Sequence, residues 1–308
     1  MILITEFMSE NSIKVLKSKY EVIYDKTLAD NQQEIPNKMK GIKAIIVRNR
    51  TQVTEDLLIN SPNLSCVGRL GVGLDNIDLD ACKKNKITVY PATGANTNSV
   101  VEYVLTSAMI LLRGAFNKNN LMISGEWPRE ESSGNEISGK TLGLLGFGEI
   151  AQKTSILARN FNMKIMAYDP FIERTSPIWK NVKNVTLQEL LKNSDVISIH
   201  TPLNNSTHHL INSDNLQYVK SSAIIINAAR GGIIDDKALS EALKKNQIAG
   251  AALDVFETEP MNVSSGSYFK DLNNVILTPH IAGVTEESNQ NVSLMIAQKI
   301  DKHLASLG

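Results

Sequence analysis

Short apolar runs alternate with amphipathic stretches along the whole chain. In the first third, two segments have helical spacing, Ser9 to Lys19 and Thr54 to Asn60, and Thr54 is a suitable N-cap for the second. The strands predicted around them are Ile2 to Ile4, Glu21 to Tyr24, Ala44 to Val47, Cys66 to Gly68 and Ile87 to Tyr90. Strands that are apolar throughout and separated by helices are typical of a parallel sheet covered on both faces.

A second series of alternating elements follows a long predicted helix, Ser99 to Arg113, and a polar segment, Asn117 to Gly139. Thr186 and Glu189 form a capping-box pattern, which predicts the start of another helix. The predicted strands and closing helix are Thr141 to Leu145, Lys164 to Tyr168, Val196 to Ile199, Ala223 to Ile226, Ala249 to Leu253, Val275 to Leu277 and the helix Glu286 to Leu304. The fold class is therefore predicted to be α/β, with two doubly wound parallel-sheet domains.

The composition excludes several function classes. Among the 308 residues, Lys plus Arg and Asp plus Glu number 32 each, so no nucleic acid and no anionic membrane is expected as a partner. No apolar run approaches the roughly 20 residues that a membrane span needs. Cys66 and Cys82 form neither a disulfide pattern nor a metal pattern, so we expect packing roles for both and no bound metal. These features favour a cytoplasmic protein.

A glycine-rich turn follows the predicted strand Thr141 to Leu145 and opens a helical pattern. Gly146 and Gly148 occupy the first two glycine positions of a dinucleotide-binding turn, and Ala151 stands in the third. Asp169 ends the next strand, roughly 20 residues further on, where a carboxylate binds the ribose hydroxyls and disfavours a 2′-phosphate. A turn without any ligand is the alternative, but strand, glycines and acid together favour NAD as the cofactor.

Three segments with reactive side chains follow three successive predicted strands. They carry Arg230, the acids from Asp254 to Glu259, and His280. Because the carboxyl ends of parallel strands border the ligand crevice, we expect these segments to lie together. Oxidation of a hydroxy acid needs a base, for which a His paired with a carboxylate is suited, and a guanidinium can hold the substrate carboxylate. Taken singly, Arg230 could be a salt-bridge residue and His280 a turn residue.

These segments resemble, in order and spacing, those of the D-isomer-specific 2-hydroxyacid dehydrogenases. The resemblance extends to two segments of the first domain, Arg69 to Asp78 and Gly94 to Thr97. It implies a Rossmann NAD-binding domain, residues 99–284, inserted into a flavodoxin-like substrate domain, residues 1–98 plus 285–308. It also implies a homodimer formed through the cofactor domains. Trp127 is then a candidate interface residue, with burial inside its own chain as the alternative.

The resemblance also implies residue roles. It makes His280 the acid/base, Glu259 its hydrogen-bonded partner and Arg230 the ligand of the substrate carboxylate and carbonyl. The backbone of Val72 and Gly73 would grip the substrate carboxylate. The positions assigned to the cofactor are Gly146, Gly148, Glu149, Ile150, Asp169, Thr201, Ala228, Asp254 (against the nicotinamide carboxamide) and Gly283. Glu149 is a departure, because the family usually has Arg there, and a pyrophosphate partner is thereby lost.

The substrate is predicted from the first domain. Arg48 and Arg50 follow a strand, and Arg69 precedes the Gly71 loop, so a second substrate anion is expected there; a solvated strand end is the alternative. These segments resemble 3-phosphoglycerate dehydrogenases and sulfolactate dehydrogenases. We therefore rank 3-phosphoglycerate first, sulfolactate second and glyoxylate or hydroxypyruvate reduction third. The chain ends soon after His280, so no regulatory domain is expected.

Two other functions are consistent with parts of this pattern. An NAD-sensing regulator, similar to the C-terminal-binding corepressors, shares the motifs, but nothing in the chain indicates a partner-binding extension. Formate or phosphite oxidation is the other alternative. The formate enzymes of the family have Gln where this chain has Glu259. The sequence therefore favours an oxidoreductase acting on a small 2-hydroxy acid.

Overall fold

The structure is a computed structural model that describes residues 1–114 and 118–307. Asn117, at the start of the predicted polar segment, and Gly308, at the end of the predicted substrate domain, lie outside the described residues. The chain divides into two compact units, Met1–Asn96 with Val284–Gly308 and Thr97–Gly283. The predicted domain boundaries fall close to these limits, and the substrate-binding role of the first unit remains a prediction.

All strands pair in parallel, and helices connect most of them. The strands are β1 (Ile2–Ile4), β2 (Val22–Tyr24), β3 (Ala44–Val47), β4 (Cys66–Arg69), β5 (Thr88–Pro91), β6 (Thr141–Leu145), β7 (Lys164–Tyr168), β8 (Lys183–Asn184), β9 (Val196–Ile199), β10 (Ile224–Asn227), β11 (Gly250–Leu253) and β12 (Val275–Leu277). The α-helices are α1 (Glu10–Lys17), α2 (Ile35–Lys38), α3 (Glu55–Ile59), α4 (Leu79–Lys84), α5 (Thr97–Arg113), α6 (Asn119–Ile123), α7 (Glu149–Asn160), α8 (Leu187–Asn193), α9 (Ser213–Leu216), α10 (Asp236–Lys244), α11 (Val263–Gly266) and α12 (Glu286–Ala305).

The first unit has a five-stranded sheet in the order β2-β1-β3-β4-β5, which is the flavodoxin-like order. Its two faces are both buried. Leu3 belongs to the cluster on one face, and Ile2 and Ile4 belong to the cluster on the other, because successive side chains of a strand point to opposite sides. Helix α12 packs on the second face through Ile296 and Ile300. The predicted parallel sheet covered on both sides is confirmed.

The second unit has a seven-stranded sheet in the order β12-β11-β10-β9-β6-β7-β8. The strand order reverses at β6, so that β7 and β8 extend the sheet on one side and β9 to β12 extend it on the other. Ligands of such sheets bind at this reversal, beyond the carboxyl ends of the strands. The turns after β6 and β9 therefore mark the expected cofactor site, and those after β10 to β12 lie along the same edge.

The local sequence signals correspond well to the observed elements. The predicted capping box is present: the Thr186 hydroxyl accepts from the Glu189 N–H, and the Glu189 carboxylate accepts from the Thr186 N–H. Thr54 caps α3 as predicted. Strand β8 was not predicted, since its two residues are polar and only partly buried. Within the part of the chain that is described, no helix is long and apolar enough to cross a membrane.

Candidate active site

The glycine-rich turn connects β6 to α7 in the second unit. Gly146 has φ +89°, and a Cβ there would lie 2.7 Å from the carbonyl oxygen of His200. Gly148 is the N-cap of α7, and apart from its two chain neighbours no described residue has an atom within 4 Å of the place where its Cβ would be. The turn therefore presents open space and backbone N–H groups at the N-terminus of a 12-residue helix. This arrangement fits the pyrophosphate of a dinucleotide.

Asp169 lies beside this turn, as the sequence predicted. Its Oδ2 accepts a hydrogen bond from the Phe147 N–H at 2.9 Å, and its Oδ1 accepts from the Phe171 N–H at 3.0 Å. Each carboxylate oxygen has two lone pairs, so both retain a site for a ribose hydroxyl. The Phe147 ring stacks on Trp179 with 5.1 Å between ring centroids. The glycine turn therefore packs against the segment that contains Trp179, which follows Asp169 in the chain.

Glu149 is the first residue of α7, and its side chain points to another helix of the same unit. The Thr97 hydroxyl, at the start of α5, donates to Glu149 Oε1 at 3.0 Å. A carboxylate at a helix N-terminus stabilises the helix, but here it also occupies the electropositive end at which a phosphate would bind. Glu149, which stands where the family usually has Arg, is thus hydrogen-bonded to Thr97. Sequence reasoning did not identify this contact.

The other predicted cofactor residues lie at the same edge of the sheet. Thr201 follows β9, and its backbone nitrogen would be 3.1 Å from a Cβ at position 146. Ala228 follows β10, and Gly283 ends the second unit. Ile150 is half-buried and packs against the core of the unit. That these residues contact the cofactor stays a prediction.

His280 and Glu259 form a direct pair. Nδ1 of His280 lies 2.7 Å from Oε2 of Glu259, and Glu259 Oε1 accepts from the Phe256 N–H at 3.0 Å. Burial raises the pKa of the Glu259 carboxyl. The hydrogen bond and charge of His280, the Phe256 N–H and the charge of Arg230 more than offset this effect and bring that pKa below its usual range. Glu259 is therefore an ionised partner for the imidazole at neutral pH.

Arg230 lies in the turn that follows β10. Asn227 shapes this turn: its amide Nδ2 donates to the Arg230 carbonyl at 2.9 Å, and its Oδ1 accepts from the Ala229 N–H at 3.1 Å. The Arg230 guanidinium donates to the Ala229 carbonyl at 2.6 Å. The three predicted catalytic residues thus follow the neighbouring strands β10, β11 and β12, and their assigned roles stay predictions.

Asp254 is fully buried and organises the segment that carries His280. Its Oδ2 accepts from the Ala282 N–H at 2.7 Å, and its Oδ1 accepts from the Thr278 hydroxyl and the Ile281 N–H. The Asp254 carbonyl accepts from the His280 N–H at 2.8 Å. The sequence assigned Asp254 to the nicotinamide carboxamide, which stays a prediction. The anchoring of the His280 segment was missed, because it depends on contacts distant in the chain.

His200 is not placed to act as the base. Its Nε2 lies 2.9 Å from the hydroxyl of Ser198, and burial lowers the pKa of its imidazole to about 4. His200 is therefore neutral at physiological pH, and its carbonyl lies behind Gly146.

The predicted substrate residues of the first unit differ in their surroundings. Arg48 is half-buried and donates from Nη2 to Asn289 Oδ1 at 2.8 Å; burial lowers the pKa of its guanidinium and Glu6 counteracts that effect. Arg50 is exposed and forms an ion pair with Asp30. Val47 pairs with Arg69 across β3 and β4, so Arg48 and Arg69 lie near the ends of adjacent strands.

Glu6 holds the chain that carries Arg48. This carboxylate is almost completely buried, and its Oε1 accepts from the backbone N–H groups of Arg48 at 2.8 Å and Thr51 at 2.9 Å. The predicted carboxylate-gripping residues Val72 and Gly73 lie in the turn after β4, where Val72 is exposed. Their role in binding the substrate carboxylate stays a prediction.

Comparison with known proteins gives consistent results. The family model for the NAD binding domain of D-isomer specific 2-hydroxyacid dehydrogenases matches residues 105–282. The (S)-sulfolactate dehydrogenase of Chromohalobacter salexigens is 44% identical over 98% of either chain. The D-3-phosphoglycerate dehydrogenase of Methanocaldococcus jannaschii is 38% identical over 98% of this chain, which spans 57% of that enzyme. The structure of Aquifex aeolicus D-lactate dehydrogenase complexed with NAD and lactic acid matches with a TM-score of 0.87 and 28% identity, over 99% of this chain and 96% of that one.

Proposed function

Because the chain belongs to the D-isomer specific 2-hydroxyacid dehydrogenases and is an NAD-dependent oxidoreductase, we propose that it oxidises a three-carbon 2-hydroxy acid with a second anionic group on C3. The observation that carries this proposal is the position of Arg48 and Arg69 near the ends of adjacent strands. Two guanidinium groups in such positions suit a phosphate or sulfonate, which a lactate-type substrate lacks.

Between the two doubly anionic acids, we rank sulfolactate first. The sequence alone ranked 3-phosphoglycerate first. The order changes because the sulfolactate enzyme is more similar, at 44% against 38% identity, and matches this chain over 98% of its own length. The phosphoglycerate enzyme matches over 57% of its length. 3-Phosphoglycerate remains the second candidate because it presents the same two anions.

The catalytic roles follow from the contacts within the second unit. Nδ1 of His280 is bonded to Glu259, so Nε2 is the nitrogen that takes the proton of the C2 hydroxyl. The Glu259 carboxylate stabilises the imidazolium that results, and Arg230 holds the substrate carboxylate and polarises the C2 oxygen. The chemistry that NAD would supply when bound is an acceptor for the hydride from C2. The glycine turn and Asp169 hold its pyrophosphate and ribose.

We also propose that the chain forms a homodimer. Ile123 and Trp127 are 85% and 75% exposed, so Trp127 is not buried in its own chain. Exposed large apolar side chains are typical of protein interfaces. Light scattering coupled to size-exclusion chromatography tests this: Trp127→Asp should shift the mass from dimer toward monomer, and a monomeric wild type would contradict the proposal.

The substrate proposal is tested by NADH formation from sulfolactate, 3-phosphoglycerate, glycerate and lactate, with the corresponding oxo acids run in the reverse direction. We expect a kcat/KM for a doubly anionic acid at least roughly tenfold above that for glycerate or lactate, since one charge-assisted contact is worth about 1.5–3 kcal/mol. Turnover of glyoxylate or hydroxypyruvate alone would replace the proposal with a general reductase.

A further inference from the structure

Three hydroxyl- and carboxyl-bearing side chains form a continuous chain beneath the His280 segment. The Tyr103 phenol oxygen lies 2.6 Å from the Thr278 hydroxyl, and the Thr278 hydroxyl lies 2.6 Å from Asp254 Oδ1. Tyr103 belongs to α5, far from the other two in sequence, and all three lie in the second unit. Neither Tyr103 nor Thr278 has a role in the mechanism given above.

The direction of these hydrogen bonds follows from the number of protons. The Thr278 hydroxyl donates to Asp254 Oδ1, so its single proton points to that oxygen. The Thr278 oxygen must therefore accept from the Tyr103 phenol, whose oxygen also shares a hydrogen bond with Ser107. Burial, and the nearby charge of Asp254, raise the pKa of the Tyr103 phenol above its usual value. The phenol therefore keeps its proton throughout the neutral range.

The chain ends at the backbone of His280. The Asp254 carboxylate accepts from the N–H groups of Ile281 and Ala282, and the Asp254 carbonyl accepts from the His280 N–H. His280 has φ +56°, in the left-handed region that a side chain of this kind adopts at a cost of order 1 kcal/mol. Neighbouring contacts must stabilise this backbone conformation of His280, and the hydrogen bonds to Asp254 do so.

We propose that Tyr103 is a positioning residue for His280, acting through Thr278 and Asp254. The proposal rests on the acid/base role proposed for His280. The phenol fixes the Thr278 rotamer and thereby the positions of the two Asp254 side-chain oxygens. Those oxygens in turn position the backbone of the segment that carries His280. Because proton transfer is steeply sensitive to distance, a small shift of His280 lowers the rate of the chemical step while substrate and cofactor still bind.

The first test is Tyr103→Phe, which removes only the phenol oxygen. We expect kcat to fall roughly tenfold to hundredfold, while KM for the 2-hydroxy acid stays within about twofold. Thr278→Val should give a similar loss, and Thr278→Ser, which keeps the hydroxyl, should restore most of the activity. Tyr90→Phe is the matched control, since it removes a phenol that contacts His303 in the other unit.

A second measurement needs no substrate. In ¹H–¹⁵N spectra of the imidazole groups, the Nδ1 proton of His280 should give a downfield signal in the wild type, because it lies in a short bond to Glu259. Tyr103→Phe should shift or broaden this signal, and Tyr90→Phe should not. An unchanged His280 signal with unchanged kcat would overturn the proposal, as would a fall in melting temperature without any kinetic effect. If the wild type oxidised no 2-hydroxy acid, the proposed function would fail, and the spectra would still decide the role of Tyr103.

Discussion

Nδ1 of His280 and Oε2 of Glu259 are 2.7 Å apart, in the turns that follow the adjacent strands β12 and β11. This bond orients the imidazole and commits Nδ1 to the carboxylate, which leaves Nε2 for the substrate. Both side chains are partly exposed, at 42% for His280 and 34% for Glu259. The pair is therefore preformed and accessible within one unit, and it is the first target for mutation.

His280→Ala should reduce turnover by roughly 10²–10⁴-fold, because the acid/base group is lost. NADH binding, measured by fluorescence titration, should change little, since the glycine turn and Asp169 are untouched. His303→Ala is the control, because its imidazole contacts Ser65 and Tyr90 in the other unit. Near-normal turnover by His280→Ala at neutral pH would remove His280 from its proposed role.

Glu259→Gln should change the pH dependence of the reaction. The pKa of Glu259 is lowered, so the wild-type carboxylate stays ionised well below neutral pH and stabilises the imidazolium. The amide of Glu259→Gln has no charge and cannot stabilise the imidazolium in this way. Oxidation requires the neutral imidazole, so the acid-side midpoint of the kcat/KM profile for oxidation should move to lower pH. In the reverse direction, activity should be lost at a correspondingly lower pH. If Glu259→Gln had the same pH midpoints as the wild type, the proposed stabilisation of the imidazolium by Glu259 would be wrong.

Arg48→Gln should raise KM for sulfolactate or 3-phosphoglycerate by roughly tenfold or more, because a charge-assisted contact to the distal anion is lost. Its effect on glyoxylate, which lacks that anion, should be small. Arg50→Gln is the matched comparison: Arg50 is exposed and already paired with Asp30, so we expect a smaller effect. Equal losses for glyoxylate and the doubly anionic acid would argue against an anion site in this part of the first unit.

Glu149→Gln should strengthen NADH binding roughly two- to fivefold, which corresponds to about 0.5–1 kcal/mol for a charge at a helix terminus. The carboxylate repels the pyrophosphate, so added salt should improve binding by the wild type more than by the variant. Glu286→Gln removes the same charge from the start of α12 in the other unit and serves as the control. Weaker binding by Glu149→Gln would show that Glu149 is itself a cofactor ligand.

Asp236→Asn should stabilise the protein above pH 6. Burial raises the pKa of the Asp236 carboxyl from 3.8 to about 6, with the Glu257 N–H acting in the opposite direction. Between these pH values the folded state binds more protons than the unfolded chain, so the wild type loses stability as the pH rises. Urea unfolding at pH 8 should show the variant more stable by about 1–3 kcal/mol. The difference in the free energy of unfolding between the variant and the wild type should vanish below about pH 4. A less stable variant at pH 8 would contradict this reasoning.

The local sequence was sufficient to predict the fold class, most of the strands and the glycine turn. It also offered Arg230, Glu259 and His280 as candidates, and their catalytic roles stay predictions. These features are local: a buried strand, a turn that needs glycine and a capping box are each read from a few neighbouring residues. The parallel arrangement then brings the strand ends together, because all carboxyl ends meet at one edge of a sheet.

The partner of each polar side chain became clear only from the three-dimensional packing. Tyr103 meets Thr278 across 175 positions of the chain, and no local pattern indicates that contact. Arg48 and Arg50 look alike in sequence, yet one is half-buried against Asn289 and the other is paired with Asp30 at the surface. The difference arises from the fold, since the strength of a charged contact depends on burial and on distant neighbours that the sheet and helices bring together.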